Sequence, residues 1–205
     1  MLTLYYAKGS SALASHILLE EVGAEYAAHE VPIQQGAHKE PSYIEINPKM
    51  RVPALRTPHG IITENPAILT YVAATHKAAG MLPDDPFERA QVDALNAYLC
   101  ATMHVAFAHK LRGARWADSE EALSDMAAKV PSNLADCAAL LEEHYIKGPW
   151  AMGDTYTTCD AYLALVPRWL SVAGVDLAEY PKLKAHREAS LQRPATLSVM
   201  AVHGL

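Results

Sequence analysis

The hydrophobic pattern of this chain changes period part-way along, and that change limits its possible folds more than any other feature. Up to about residue 75, short runs with strand spacing alternate with helical stretches. Beyond that point almost every apolar pattern repeats with the period of a helix.

Leu2 to Tyr6 reads as a strand, closed by Ala7-Lys8-Gly9. Ser10-Ser11 opens an amphipathic helix carrying Leu13, Ile17, Leu18 and Val22, with Gly23 where helices commonly stop. A second strand-like stretch covers Tyr26 to Val31, and a polar loop runs from Gln34 to Glu40. Val52-Pro53-Ala54-Leu55 and Ile61-Ile62-Thr63 flank the turn Thr57-Pro58-His59-Gly60 and predict a β-hairpin. Asn65-Pro66 pairs a capping side chain with a proline suited to the first helical position. It starts a helix that carries Ile68, Leu69, Val72 and Ala73 to about Gly80. The order is β-α-β, a loop, then β-β-α.

Residues 79–85 read as a linker between a first domain at 1–78 and a second at 86–205. Asp85-Pro86-Phe87-Glu88 is a variant capping box, and the helix after it is long, reaching about Arg112-Gly113. Further helices are expected over Ser119 to Tyr145, Thr157 to Ala173 and Pro181 to Leu191. Thr157 and Asp160 are spaced as a capping pair, so Asp160 reads as structural.

Composition excludes several classes of function. Hydrophobic residues make up 51% of the 205, enough for a packed core. A net charge of −6, with no basic run, argues against nucleic acid as a partner. The sequence starts directly on a strand pattern, and no apolar run approaches the roughly 20 residues of a membrane span. Cys100, Cys137 and Cys159 form no C-x-x-C and no metal spacing, so they read as buried thiols of a reducing compartment, the cytoplasm. No metal site is expected: His104 and His109 are five residues apart, on different faces of a helix, and no acidic partner joins them.

Four local motifs, in order along the chain, resemble the cytosolic glutathione S-transferase family. Leu4-Tyr5-Tyr6-Ala7-Lys8-Gly9-Ser10-Ser11 is similar to its first strand and catalytic turn. Asn47-Pro48-Lys49-Met50-Arg51-Val52-Pro53-Ala54-Leu55 matches its N-P-x-x-x-V-P-A-L segment. Thr63-Glu64-Asn65-Pro66-Ala67-Ile68 resembles T-E-S-x-A-I, and Gly153-Asp154 with Thr157 and Asp160 resembles the motif of its helical domain. The pattern is nearest to the bacterial beta class, with Ser11 where that class has a catalytic cysteine. The resemblance implies a thioredoxin-like α/β domain followed by an all-α domain, with glutathione as co-substrate, a small electrophile as second substrate, and a homodimer.

A thiol becomes a good nucleophile only as the thiolate, and a cysteine-like pKa of ~8.5 leaves little thiolate at neutral pH. A hydroxyl donor at a helix N-terminus supplies the missing stabilisation. Ser11 is the first candidate for that hydroxyl, Ser10 the second under a shifted alignment, and Tyr5 the third. The two serines read equally as plain helix caps. By resemblance, Val52 offers a backbone edge to the cysteinyl unit ahead of Pro53, whose peptide bond is cis in the family. Taken alone, Val52-Pro53 reads as an ordinary trans proline opening an edge strand. Glu64 and Asn65 match the pair that binds the γ-glutamyl amine and carboxylate, and Arg51 is a candidate for a glutathione carboxylate. His104 matches the histidine of a His-Lys pair near the thiol in beta-class relatives, whereas Val105 replaces the lysine. Positions 104, 107, 108, 111 and 115 share one helical face.

The function implied is conjugation of glutathione to small electrophiles. A glutathione-dependent isomerase like the zeta class, or a non-catalytic binding member of the superfamily, are the alternatives. A thioredoxin-type redox protein does not fit, since the chain has no C-x-x-C and a serine cannot form a disulfide.

Overall fold

The computed structural model describes residues 1–205. Leu2–Tyr6 forms strand β1, Ala12–Glu21 helix α1, and Tyr26–Glu30 strand β2, which lies parallel to β1. Ala54–Thr57 (β3) and Gly60–Thr63 (β4) make the expected hairpin, and β3 runs antiparallel to β1, giving the sheet order β2-β1-β3-β4. The loop before the hairpin contains one short helix that sequence reading missed, α2 at Pro41–Ile44. Helix α3 begins at Asn65, one residue before the expected start at Pro66, so Asn65 is the first helical residue and not its cap. The helix ends at Thr75 instead of Gly80, because His76 leaves the helical region at φ −122° and ψ 49°; the Val72 carbonyl also accepts from the Thr75 hydroxyl (3.0 Å) and meets the His76 ring at 2.9 Å.

Strand alternation sorts the first residues by face. Leu4 and Tyr6 look toward α1, where Leu13, Ile17 and Leu18 are buried, while Tyr5 looks the other way, toward Tyr43 of α2. Helix α1 stops at Gly23, whose φ of +63° lets Gly23 N–H and Ala24 N–H donate back to the Glu20 and Leu19 carbonyls.

The remaining helices are α4 (Pro86–Tyr98), α5 (His104–Arg112), α6 (Glu120–Leu140), α7 (Thr158–Leu163), α8 (Val166–Ala173), α9 (Pro181–Ser190) and α10 (Pro194–His203). Asp85 caps α4, its carboxylate accepting from Phe87 and Glu88 N–H at 3.0 and 2.9 Å. The single helix expected from Asp85 to Arg112 is interrupted by a π-helical turn at Leu99–Met103. The helix expected over Thr157 to Ala173 is broken into α7 and α8, with Pro167 in the first turn of α8, where its missing N–H costs nothing.

Two compact units result: residues 1–89 with 191–205, and residues 90–190. This differs from the linear division at 78 and 86, because α10, which sequence reading did not predict, packs on α1. Arg193 makes a bidentate pair with Glu21 at 2.6 Å for both bonds, and His203 meets His16 at 3.1 Å. The two imidazoles are buried, ringed by Tyr6 of β1 and Tyr26 of β2, with Glu20 one turn further along α1.

Burial holds the His16 pKa below its ordinary value, against the smaller opposing pull of Glu20. The unfolded chain therefore binds the proton more readily than the folded one. The stability from this site is complete above the unfolded pKa of ~6.5 and is lost as pH falls, by up to about 1.4 kcal/mol per pH unit. Denaturation curves at pH 7.5 and 5.5 should show that loss, and His16→Gln should flatten it. An equal slope in both proteins would show that His16 does not govern it.

Candidate functional site

The turn between β1 and α1 separates the two serines. The Ser10 hydroxyl donates to the Ala7 carbonyl at 2.7 Å and accepts from Ala12 N–H at 3.3 Å, so it is engaged as a local cap. Ser11 is the residue preceding α1, and its hydroxyl makes no capping bond. It stands at a helix N-terminus, where backbone N–H groups lack intrahelical partners and the positive end of the dipole favours an anion.

Helix α3 brings a second N-terminus beside the first. The Asn65 side chain is buried and turned inward: its amide N–H donates to the Ser11 carbonyl (2.9 Å), and its oxygen accepts from the Ser15 hydroxyl (2.6 Å). The predicted role of Asn65 as a side-chain contact for the γ-glutamyl unit is thus not what its geometry favours. The side chain locks the two helix starts together, and the backbone N–H groups at the start of α3 are what it leaves to a ligand. Glu64 just before has φ of +74° and no capping bond, a conformation that costs a non-glycine residue about 1–3 kcal/mol. Its carboxylate is held by the Lys49 ammonium, which also donates to the Thr63 hydroxyl at 2.6 Å.

The segment 47–53 is held from behind. Asn47 and Tyr43 both donate to the Arg51 carbonyl, at 2.6 and 2.7 Å, and Lys49 N–H donates to the Asn47 side-chain oxygen at 3.2 Å. The Val52–Pro53 bond is cis, as the resemblance implied and unlike the trans form that the dipeptide alone suggests. Pairing with β1 and β4 starts at Ala54, so the Val52 backbone lies outside the ladder as a free edge. The Arg51 side chain is exposed.

Tyr5 does not join this group. Its hydroxyl accepts from Arg56 Nε at 3.2 Å, and its ring packs on His29 and Tyr43, on the sheet face away from α1. A hydroxyl there cannot also serve the Ser11 turn, which corrects its place among the thiol donors.

His104 lies in the other unit. Its ring stacks on Trp169 at 5.0 Å, and its Nε2 meets the Arg112 guanidinium at 3.3 Å. A guanidinium has no acceptor, so Nε2 is the acceptor in that contact. Phe107 stacks on the same indole and Ala108 is buried, but Leu111 is 77% exposed, so the shared face read from the sequence stops after 108.

Lys49, Tyr43 and Ser15 escaped the sequence reading. Ser15 alone carried a signal, a hydroxyl within the apolar stripe of α1. Lys49 and Tyr43 find their partners only through the fold.

The chain thus joins a thioredoxin-like sheet, with Ser10 and Ser11 and no cysteine at the start of its first helix, to an all-helical second half. Residues 1–74 match the family model described as glutathione S-transferase, N-terminal domain. A crystal structure of a glutathione transferase homologue from Sulfitobacter, with bound glutathione, is 40% identical. It aligns over 100% of this chain and 99% of that one with a TM-score of 0.97. Glutathione S-transferase GST-4.5 of Xanthomonas campestris is 27% identical over 98% of both chains. A maleylacetoacetate isomerase of Rhizobium meliloti is 31% identical over 88% of this chain and 86% of its own. The chain belongs to the glutathione S-transferase family.

Proposed function

We propose that this protein is a glutathione transferase that ionises the thiol of glutathione at Ser11 and adds the sulfur to a small electrophile. The reading rests above all on one observation: two helix N-termini are clamped side by side by Asn65, and the hydroxyl at one of them is left uncommitted.

In this reading the Ser11 hydroxyl donates to the sulfur and the thiol proton passes to solvent. The Val52 edge pairs with the cysteinyl backbone. The Glu64 carboxylate receives the γ-glutamyl ammonium, the backbone N–H groups at the start of α3 receive the γ-glutamyl carboxylate, and Arg51 faces the glycyl carboxylate. Binding places the thiolate, so the second step becomes attack by a fixed nucleophile. The helical unit, with His104, supplies the surface for the electrophile. A homodimer and a cytoplasmic setting, which suits three free cysteines, complete the proposal. No helix is long and apolar enough to cross a membrane.

Similarity to the isomerase from Rhizobium meliloti favours a second reading, in which the thiolate adds to a cis double bond and leaves again after rotation. Retention on immobilised glutathione, followed by assays with a haloaromatic and with a maleyl-type substrate, separates the two readings. Glu64→Ala should raise the glutathione KM about threefold with kcat nearly unchanged, since a half-exposed charged contact is worth under about 1 kcal/mol. An unchanged KM would remove Glu64 from the binding site.

A further inference from the structure

Lys49 and Glu64 form an ion pair that ties the 47–53 segment to the junction of β4 and α3. The ammonium is doubly anchored, on the carboxylate and on the Thr63 hydroxyl. Its side chain is nevertheless 44% exposed and that of Glu64 52%, so solvent and ligands reach both. Nothing in the packing requires a cation there, because neither residue is buried. Glu64 also sits in a strained backbone conformation, with φ of +74°.

We propose that Lys49 is a resident cation that occupies the ammonium subsite on Glu64 until glutathione displaces it, and so sets how strongly the site selects for an α-amino group. This rests on the reading of Glu64 as the partner of the γ-glutamyl ammonium. Two ammonium groups sharing one carboxylate repel each other a few ångströms apart, so the incoming one replaces the lysine. The net gain on binding is then the difference between two similar ion pairs. A ligand without the amine leaves Lys49 in place and forfeits little. Lys49 is thus a specificity-determining residue that holds discrimination down.

The test measures equilibrium binding of two probes: glutathione, and the analogue in which the γ-glutamyl α-amine is replaced by hydrogen. In the unaltered protein the two should bind within about threefold of each other. Lys49→Met should tighten glutathione about threefold and widen the gap to roughly tenfold, because the carboxylate then has no other partner. Lys49→Gln, which keeps a polar side chain, should behave the same way. Unchanged or weaker glutathione binding in both variants overturns the proposal, and weaker binding would mean that Lys49 holds a ligand carboxylate. Glu64→Ala in the Lys49→Met background separates the two levels. If it weakens glutathione while Lys49→Met alone does not tighten it, the displacement idea fails and the Glu64 reading stands. If it leaves glutathione binding unchanged, the Glu64 reading fails, and the proposal with it.

Discussion

Asp160→Ala is expected to lower stability by about 3–5 kcal/mol, because it strips the acceptor from several buried donors at about 1–3 kcal/mol each. Asp160 is fully buried and both its oxygens are used. One accepts from Ala151 N–H at 2.8 Å and contacts His186 Nε2 at 3.0 Å; the other accepts from Thr157 N–H at 2.7 Å and from its hydroxyl at 3.1 Å. One side chain therefore joins the loop before α7, the N-terminus of α7 and the middle of α9.

Alanine leaves two backbone N–H groups and a buried imidazole without their acceptor, and each orphaned group carries its own desolvation cost. Asp160→Asn should recover only part of the loss, because its amide NH2 must then face a donor. Denaturant unfolding of the three proteins measures this. A loss below about 1 kcal/mol for alanine would show that Thr157 alone caps α7 adequately. None of the proposed glutathione contacts lies in residues 90–190, so the surviving folded fraction should keep its glutathione affinity.

What the sequence disclosed follows from the range of each interaction. Asn65-Pro66, Gly23 and the Thr157/Asp160 pair are signals between residues a few positions apart, and all three mark helix ends in the structure. The hairpin at 54–63 was legible for the same reason. Helix α10 was not. It carries apolar residues without a clear polar face, and its partner α1 is far away in the sequence, so no local pattern announced that the chain returns to the first unit. The π turn at Leu99–Met103 adds residues to a turn without changing their type. It shifts the phase of the helix after it, and His104 is the first residue affected.

The candidate site divides in the same way. Ser10, Ser11, Glu64 and Asn65 could be named because helix starts are readable. Which serine is free could not, since that depends on the Ala7 carbonyl approaching Ser10. Tyr5 was separable in principle: strand alternation puts it and Tyr6 on opposite faces, and only Tyr6 shares a face with α1. The inward turn of Asn65 needed Ser15, fifty residues earlier, to be seen beside it.

Ser11→Ala should lower kcat/KM for conjugation about 10- to 100-fold, the equivalent of one hydrogen bond to a charged group at about 1.5–3 kcal/mol. The loss should depend on pH in a definite way. A free thiol ionises near ~8.5, and a hydroxyl donor lowers that by stabilising the anion. Removing the donor moves the rising limb of the pH–rate profile to higher pH, so the deficit is largest near neutrality and shrinks as the thiol ionises unaided. The ultraviolet absorbance of bound thiolate should shift in parallel. Ser10→Ala, which removes a cap worth about 1 kcal/mol, should lower stability and leave the profile in place. Tyr5→Phe should do the same, since that hydroxyl meets only Arg56 on the far side of the sheet. The contrast among the three carries the argument. If Ser10→Ala or Tyr5→Phe moves the profile and Ser11→Ala does not, the thiolate is held elsewhere, and the uncommitted hydroxyl at the start of α1 is only a helix-end serine.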